Sequence, residues 1–461
     1  IGNEACMVTC AVLVLAAGAG HPIGFSAVAL PQLRDENTTM QIDDDMGSWI
    51  ASIHSAATPL GSMISGPVME AIGRRRTLQV STLPLVLGWI LIGTASQHAL
   101  LLLGRIICGF AVGLMAAPSQ VYLGEISEPK LRGLLIGTPF VAYSLGVLYV
   151  YALGSLPWRS VAHLCTVLPA LAFVVLCFSP ESPTWLARKG RFHEASAAFA
   201  RLRGDPEIAQ RELHELISAR EKEKANREEQ LKFFATIARP SVLKPLLLIN
   251  TFNILQILSG SYVVIFYAVD ILKAAGGSMD PHAAANASAI VRLGITVLAC
   301  ILLLIMTRRS LVLISGAGTA ITTLALACIL SVGHGEGLGP PILLLSYVAF
   351  NTLGFFILPG LMIGELLPTK VRGLCGGYIF CIFNAVLFGF TKLYPIMVKE
   401  VGMAGVFAIF GTSAAIATVV LFLLLPETKG RSLLQIEQYY QKSNVLWINR
   451  NRGMESQAVG I

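Results

Sequence analysis

Twelve long apolar stretches, separated by short polar or charged connections, organise this chain. They lie at residues 6–33, 47–71, 77–97, 99–122, 134–154, 159–179, 241–272, 284–306, 311–332, 340–363, 373–398 and 402–425, and each is almost free of charge. A helix needs roughly 20 apolar residues to cross the hydrocarbon, where lipid cannot satisfy an exposed backbone amide. The pattern therefore predicts an all-α membrane protein with 12 transmembrane helices in two six-helix halves. Between the sixth and seventh stretches the character changes. Residues 184–239 hold twelve Lys or Arg interleaved with acids, and Leu213, Leu216 and Ile217 recur at helical spacing. That segment reads as amphipathic surface helices, and it is too short to bury the core of a soluble catalytic domain. The expected layout is an N-terminal bundle over 1–183, a cytoplasmic helical linker over 184–239, a C-terminal bundle over 240–428 and a cytoplasmic tail over 429–461.

The polar connections repeat. Residues 124–133 read GEISEPKLRG and residues 364–373 read GELLPTKVRG, matching Glu125 with Glu365, Lys130 with Lys370 and Arg132 with Arg372. Arg75-Arg76-Thr77 echoes Arg308-Arg309-Ser310, and Pro180-Glu181-Ser182-Pro183 echoes Pro426-Glu427-Thr428. Self-similarity at half the chain length indicates a duplicated unit fused in the same orientation.

Composition and charge refine this. The chain is 54% hydrophobic and 13% charged, with a mean hydropathy of +0.69, against about 25% charged residues in a typical soluble domain. With residue 1 inside, Arg74, Arg75 and Arg76 follow span two, Lys130 and Arg132 span four, Arg308 and Arg309 span eight, and Lys370 and Arg372 span ten. All fall on one side, which the basic-residue bias makes cytoplasmic. Both termini are expected there, in a multi-pass plasma-membrane protein. This bias accounts for the net charge of +7 and leaves no basic cluster for nucleic acid. Asn37-Thr38-Thr39, in the first outer loop, is a candidate glycosylation sequon, and Asn286-Ala287-Ser288 fits the pattern at a span edge. The nine cysteines all fall in apolar stretches without metal-like spacing, so they read as packing residues. No metal site and no cofactor is expected, and no nucleophile or base has the spacing of an enzyme.

Several motifs are more specific in combination. They are Gly73-Arg74-Arg75-Arg76, Arg105-x3-Gly109-x3-Gly113, Glu125-x6-Arg132, Pro180-Glu-Ser-Pro-Thr-Trp-Leu186 and Pro426-Glu-Thr-Lys-Gly430. Together they resemble the sugar-porter family of the major facilitator superfamily over nearly the whole chain, and within it the insect facilitated trehalose transporters. The resemblance implies the major facilitator fold and transport by alternating access. It also implies a cytoplasmic gate of ion pairs among Arg74 or Arg75, Glu125, Arg132, Glu181, Glu365, Arg372 and Glu427. An exposed pair contributes only about 0–1 kcal/mol, so several together would bias two states a few kcal/mol apart. The competing reading of these charges is topology and solubility.

Substrate is expected near the midplane. Asn253 and Gln256 lie one turn apart on span seven and offer amide donors and acceptors to hydroxyls. Bonding to a neighbouring helix is the alternative. The resemblance assigns Tyr267 to a pair of tyrosines gating the outer side. Arg292, inside span eight, is costly in a membrane; it serves substrate, pairs with Asp270, or reaches toward headgroups. Family positions held by polar residues are here Ile257, Tyr262 and Phe140, and a tryptophan position is Gly360, which argues against a glucose-shaped site. Proton-linked relatives carry an Asp after Gly-Phe in span one, whereas Gly24-Phe25 is followed by Ser26. His21 is the nearby titratable group. The expected activity is facilitated transport of a sugar such as trehalose by a functional monomer. The runner-up is a proton-coupled or non-sugar carrier. A sugar sensor would need a long signalling tail, and residues 431–461 alone follow Gly430.

Overall fold

The computed structural model describes residues 3–35, 40–127, 132–203, 240–274, 280–332, 338–367 and 371–429, with residues 436 and 439–441. The described residues are overwhelmingly helical, and no strand occurs among them. They fall into two compact units, Ile1–Phe233 and Phe234–Ile461.

The first unit holds α1 (Asn3–Leu33), α2 (Asp44–Ile72), α3 (Arg74–Gly93), α4 (His98–Ile126), α5 (Arg132–Ala152), α6 (Trp158–Leu164) and α7 (Val167–Phe178). Two short helices follow, α8 (Pro183–Arg188) and α9 (Phe192–Arg203), where the linker was expected to begin. Residues 204–239 lie outside the described set. The second unit holds α10 (Pro240–Leu258), α11 (Val263–Phe266), α12 (Ala268–Ala274), α13 (Pro281–Ile305), α14 (Arg308–Ser331) and α15 (Gly339–Asn351). A π-helical turn (Thr352–Phe356), α16 (Leu358–Leu366) and α17 (Arg372–Leu424) complete it.

Among the described residues nine helices are long and apolar enough to cross a membrane, against twelve expected stretches. The difference has local causes. α17 runs through both of the last two stretches and breaks only at Gly402, whose φ of 71° interrupts the helical path. α2 occupies the second stretch, but Gly, Ser and Thr dilute its apolarity. α5 occupies the fifth.

That dilution has a purpose visible in the packing. α2 buries Ser48, Ser52, His54, Ser55, Thr58, Gly61, Ser62 and Ser65 while exposing Leu60 and Met63. In lipid the apolar side chains face outward, and small residues let helices approach. The hydroxyls bond back to their own helix: Ser52 to the Ser48 carbonyl at 2.7 Å and Thr58 to that of His54 at 2.9 Å. α4 packs against α2 so closely that a Cβ on Gly109 would sit 2.1 Å from the His54 carbonyl oxygen, and one on Gly113 2.1 Å from that of Thr58. The Arg105-x3-Gly109-x3-Gly113 spacing is therefore a contact face, with both glycines at backbone-to-backbone contact. In the second unit α13 shows the same inversion. Ala284, Ala285, Ser288, Ala289, Arg292, Thr296 and Ala299 are buried, while Ile290, Leu304 and Ile305 are exposed.

Candidate functional site

Two ion clusters lie at the helix ends that carry the basic loops, one in each unit. In the first, the α2–α3 turn is made by Gly73 at φ 104°. A Cβ there would sit 2.4 Å from Oε2 of Glu181, so glycine serves both the turn and the approach of that carboxylate. Arg74, buried at the start of α3, donates through Nε to Oε2 of Glu125 at 3.0 Å and through Nη2 to its Oε1 at 3.1 Å. Nη2 also reaches Glu70 at 2.9 Å, and Nη1 the Met69 carbonyl at 3.3 Å. The Ser182 hydroxyl donates to Glu125 as well. Glu181 accepts from the Arg75 backbone N–H at 3.0 Å and that of Arg76 at 3.5 Å. A carboxylate on the first free amides of α3 complements the positive end of the helix dipole. Arg75 itself donates to the Ser179 carbonyl at 2.8 Å.

The second unit repeats this plan. Arg308 opens α14 and donates through Nε and Nη2 to Oε1 of Glu365, at 3.2 and 2.9 Å. Thr428 donates to the other oxygen at 2.6 Å, as Ser182 does to Glu125. Glu427 accepts from the Arg308 and Arg309 amides at 3.3 Å each, as Glu181 does at α3. Arg309 donates to the Phe422 carbonyl at 2.6 Å. Each of these bonds closes within its own unit. Arg74, Arg75, Glu125 and Glu181 are thus brought together, and so are Glu365 and Glu427. Sequence reasoning missed Arg308 as the partner of Glu365. The Arg-Arg echo carried the signal, but its register is Arg74-Arg75 against Arg308-Arg309, one residue earlier than the letters suggest. The side chains of Arg132 and Arg372 lie outside the described set, as does Asn37.

The polar interior of the second unit gathers on α10, α13 and span ten. Asn253 and Gln256 are both buried on α10. Gln256, 1% exposed, faces the Tyr262 hydroxyl, and its Oε1 and Nε2 meet no other hydrogen-bonding partner among the described residues. Just beyond, Ser259 and Ser261 donate to the Gln256 carbonyl at 2.6 and 3.0 Å and tie off the helix end. Tyr347 donates to the Ser259 carbonyl at 3.0 Å, and Asn351 to its hydroxyl at 3.3 Å. Arg292 is 4% exposed and lies over the Phe356 ring, 5.6 Å from guanidinium carbon to centroid. It points inward rather than toward headgroups. Tyr262 packs at 6.0 Å against Phe356 and edge-on at 5.2 Å against Phe383. Tyr267 stands apart from this set: it faces Tyr394 at 4.6 Å and donates to the Thr391 carbonyl at 3.4 Å.

In the first unit a second buried cation, Arg105, lies within the spans. It donates to the Ile50 carbonyl at 2.9 Å, the Ala51 carbonyl at 3.2 Å, the Pro22 carbonyl and the Ser26 hydroxyl at 2.8 Å. One guanidinium thereby ties α1, α2 and α4 with neutral acceptors. His21 is enclosed by rings, stacked on Tyr149 at 5.1 Å and edge-on to Trp89 at 6.2 Å.

A duplicated bundle of membrane helices, with matching ion clusters and a buried polar patch of amides and a guanidinium, defines a solute carrier. The sequence model of one family, described as "Sugar (and other) transporter", matches residues 8–440, and the chain belongs to that family. It is therefore a multi-pass membrane transporter and not an enzyme. Among curated relatives it is 33% identical over 429 residues to the facilitated trehalose transporter Tret1 of Apis mellifera ligustica, covering 91% of this chain and 85% of the relative. It is 30% identical over 427 residues to Tret1 of Culex quinquefasciatus, covering 91% and 82%. Among solved structures it superimposes on the proton:xylose symporter XylE bound to 6-bromo-6-deoxy-D-glucose, with a TM-score of 0.78, 19% identity and coverage of 95% and 99%. That likeness shows the major facilitator fold.

Proposed function

We propose that this protein is a facilitative sugar carrier, a uniporter for trehalose or a related sugar, working by alternating access in the plasma membrane with both termini cytoplasmic. A monomer is the functional form. Gln256 carries the reading. A buried amide whose hydrogen-bonding capacity is left largely unused costs roughly 1–3 kcal/mol, and a site that binds hydroxyls explains why it is kept. Asn253, one turn earlier, and Arg292 complete the substrate set, with Tyr267 and Tyr394 on the outer side as a gate. The two ion clusters act as the cytoplasmic gate, bracing the helix ends of each unit. Arg105 supports the uncoupled reading. Its guanidinium donates to neutral oxygens of Pro22, Ser26, Ile50 and Ala51, and Ser26 stands where proton-linked relatives carry an Asp.

Purified full-length protein in liposomes tests both parts. Gln256→Ala is expected to raise KM for labelled trehalose about tenfold, the equivalent of one lost hydrogen bond to substrate, with unchanged thermal stability. An unaltered KM overturns the site. Uptake by the parent protein should equilibrate without accumulation under an inward proton gradient. Uphill accumulation would favour the proton-coupled alternative instead.

A further inference from the structure

Span ten is not a continuous α-helix. Between α15 and α16 it opens into the π-helical turn Thr352–Phe356, followed by Pro359 near the start of α16. A π-turn adds one residue per turn, so its backbone groups no longer match the i→i+4 ladder, and such turns survive where something else satisfies them. Here the neighbour is Ser315, fully buried on α14. Its hydroxyl donates to the Phe350 carbonyl at 2.6 Å and accepts from the Phe355 N–H at 3.0 Å. Those two groups are five residues apart, the pair that a π-turn would close on itself. The Ser315 oxygen is interposed between them. Gly354 makes the approach possible, since a Cβ there would lie 2.7 Å from that of Ser315 and 2.9 Å from the Leu311 carbonyl oxygen.

The other flank of the same turn faces the polar patch. Phe356 lies beneath Arg292 and beside Tyr262, and Asn351, just before the turn, bonds to Ser259. Downstream, α16 carries Glu365 to Arg308, seven residues before Ser315 on the same α14. α14 thus holds the inner half of span ten at two points roughly 10 Å apart along its axis.

We propose that Ser315 is a positioning residue for transport: its hydroxyl keeps the π-turn open, and the open turn sets Asn351 and Phe356 against the sugar-binding residues. This rests on the reading of Asn253, Gln256 and Arg292 as the substrate set. Without the hydroxyl, Phe350 O and Phe355 N–H lose their shared partner, and the turn recloses as regular α-helix. Everything beyond it then rotates by about 100°, one residue of helix, which carries Phe356 away from Arg292 and Tyr262.

Labelled-sugar equilibrium binding and uptake in liposomes test this with variants of the full chain. Ser315→Ala should weaken sugar binding roughly tenfold. Ser315→Thr, which keeps the hydroxyl, should restore binding to within about twofold. Thr319→Ala is the control. It removes a hydroxyl from the same helix, one that donates to the Ser315 carbonyl at 2.7 Å and not to span ten, and it should leave binding unchanged. Ser315→Cys, close in size with a weaker donor, should fall between Ala and Ser and keeps the test open if Ser315→Ala fails to fold. Parent-like binding by Ser315→Ala or Ser315→Cys overturns the proposal, as does an equal loss in Thr319→Ala. Gln256→Ala in the same assay separates the two readings: if it binds sugar normally the substrate set is wrong, and if it alone loses binding the role of Ser315 is wrong.

Discussion

The two ion clusters share a plan and differ in depth. Arg74 is 1% exposed and Glu125 14%, whereas Arg308 and Glu365 are 17% and 23% exposed. Arg74 forks onto both oxygens of Glu125 and reaches Glu70 besides; Arg308 places Nε and Nη2 on a single oxygen of Glu365. The first cluster is further covered by α8, whose Trp185 donates to the Glu70 carbonyl at 3.1 Å. Duplication copied the residues, and the environment then set what each pair is worth. A buried charge that loses its partner keeps its full desolvation cost, while a half-exposed one recovers water.

The largest expected effect breaks that comparison directly. Arg74→Ala leaves Glu125 covered and short of its cation, and should destabilise the first unit by about 3–5 kcal/mol. In a unit of this size that lowers Tm by on the order of 10 °C. Arg308→Ala should cost only about 1–2 kcal/mol, because Glu365 retains Thr428 and is partly hydrated. Thermal unfolding of the two variants in detergent measures both. Equal losses would show that burial does not set the difference.

How much of this was legible in the sequence follows from the range of each signal. The spans were, because a run of twenty apolar residues is a local and repeated statement. The duplication was, through a ten-residue segment that recurs at about half the chain length with five positions identical. Helix continuity was less so: α17 passes through residue 398 because the polar break there is only Lys399-Glu400, and the bend waits for Gly402. Pairing was the least legible, since Arg308 meets Glu365 across 57 residues and only the fold brings them together. Gln256 was singled out by its type and spacing, and the fold buries it on α10. Ser315, one of many hydroxyls on buried helix faces, carries no letter to distinguish it from Thr319.

A second pair of variants sharpens the comparison with charge held constant. Lysine offers a point charge without the fork. Arg74→Lys should therefore lose much of the bidentate geometry at Glu125 together with the link to Glu70, for about 1.5–3 kcal/mol. Arg308→Lys keeps a contact to the one Glu365 oxygen, loses the Nη1 bond to the Leu303 carbonyl at 2.7 Å, and should stay within about 1 kcal/mol of the parent. The same unfolding assay reads both. If the two lysine variants behave alike, then the number of hydrogen bonds, and not only burial, fails to separate the clusters.

The smallest effect is expected at the shortest pair of the three. Arg191 donates to Glu194 at 2.7 and 2.5 Å at the start of α9, closer than any Arg74 or Arg308 contact to its carboxylate. Both partners are open to water, at 42% and 53% exposure. In water the gain from bringing them together is offset by lost hydration and by ordering two long side chains. Arg191→Ala should accordingly leave Tm within the error of the measurement and change uptake not at all. Distance alone would rank this pair first, whereas burial ranks it last. A Tm loss as large as that of Arg308→Ala would mean that geometry, and not desolvation, governs all three sites.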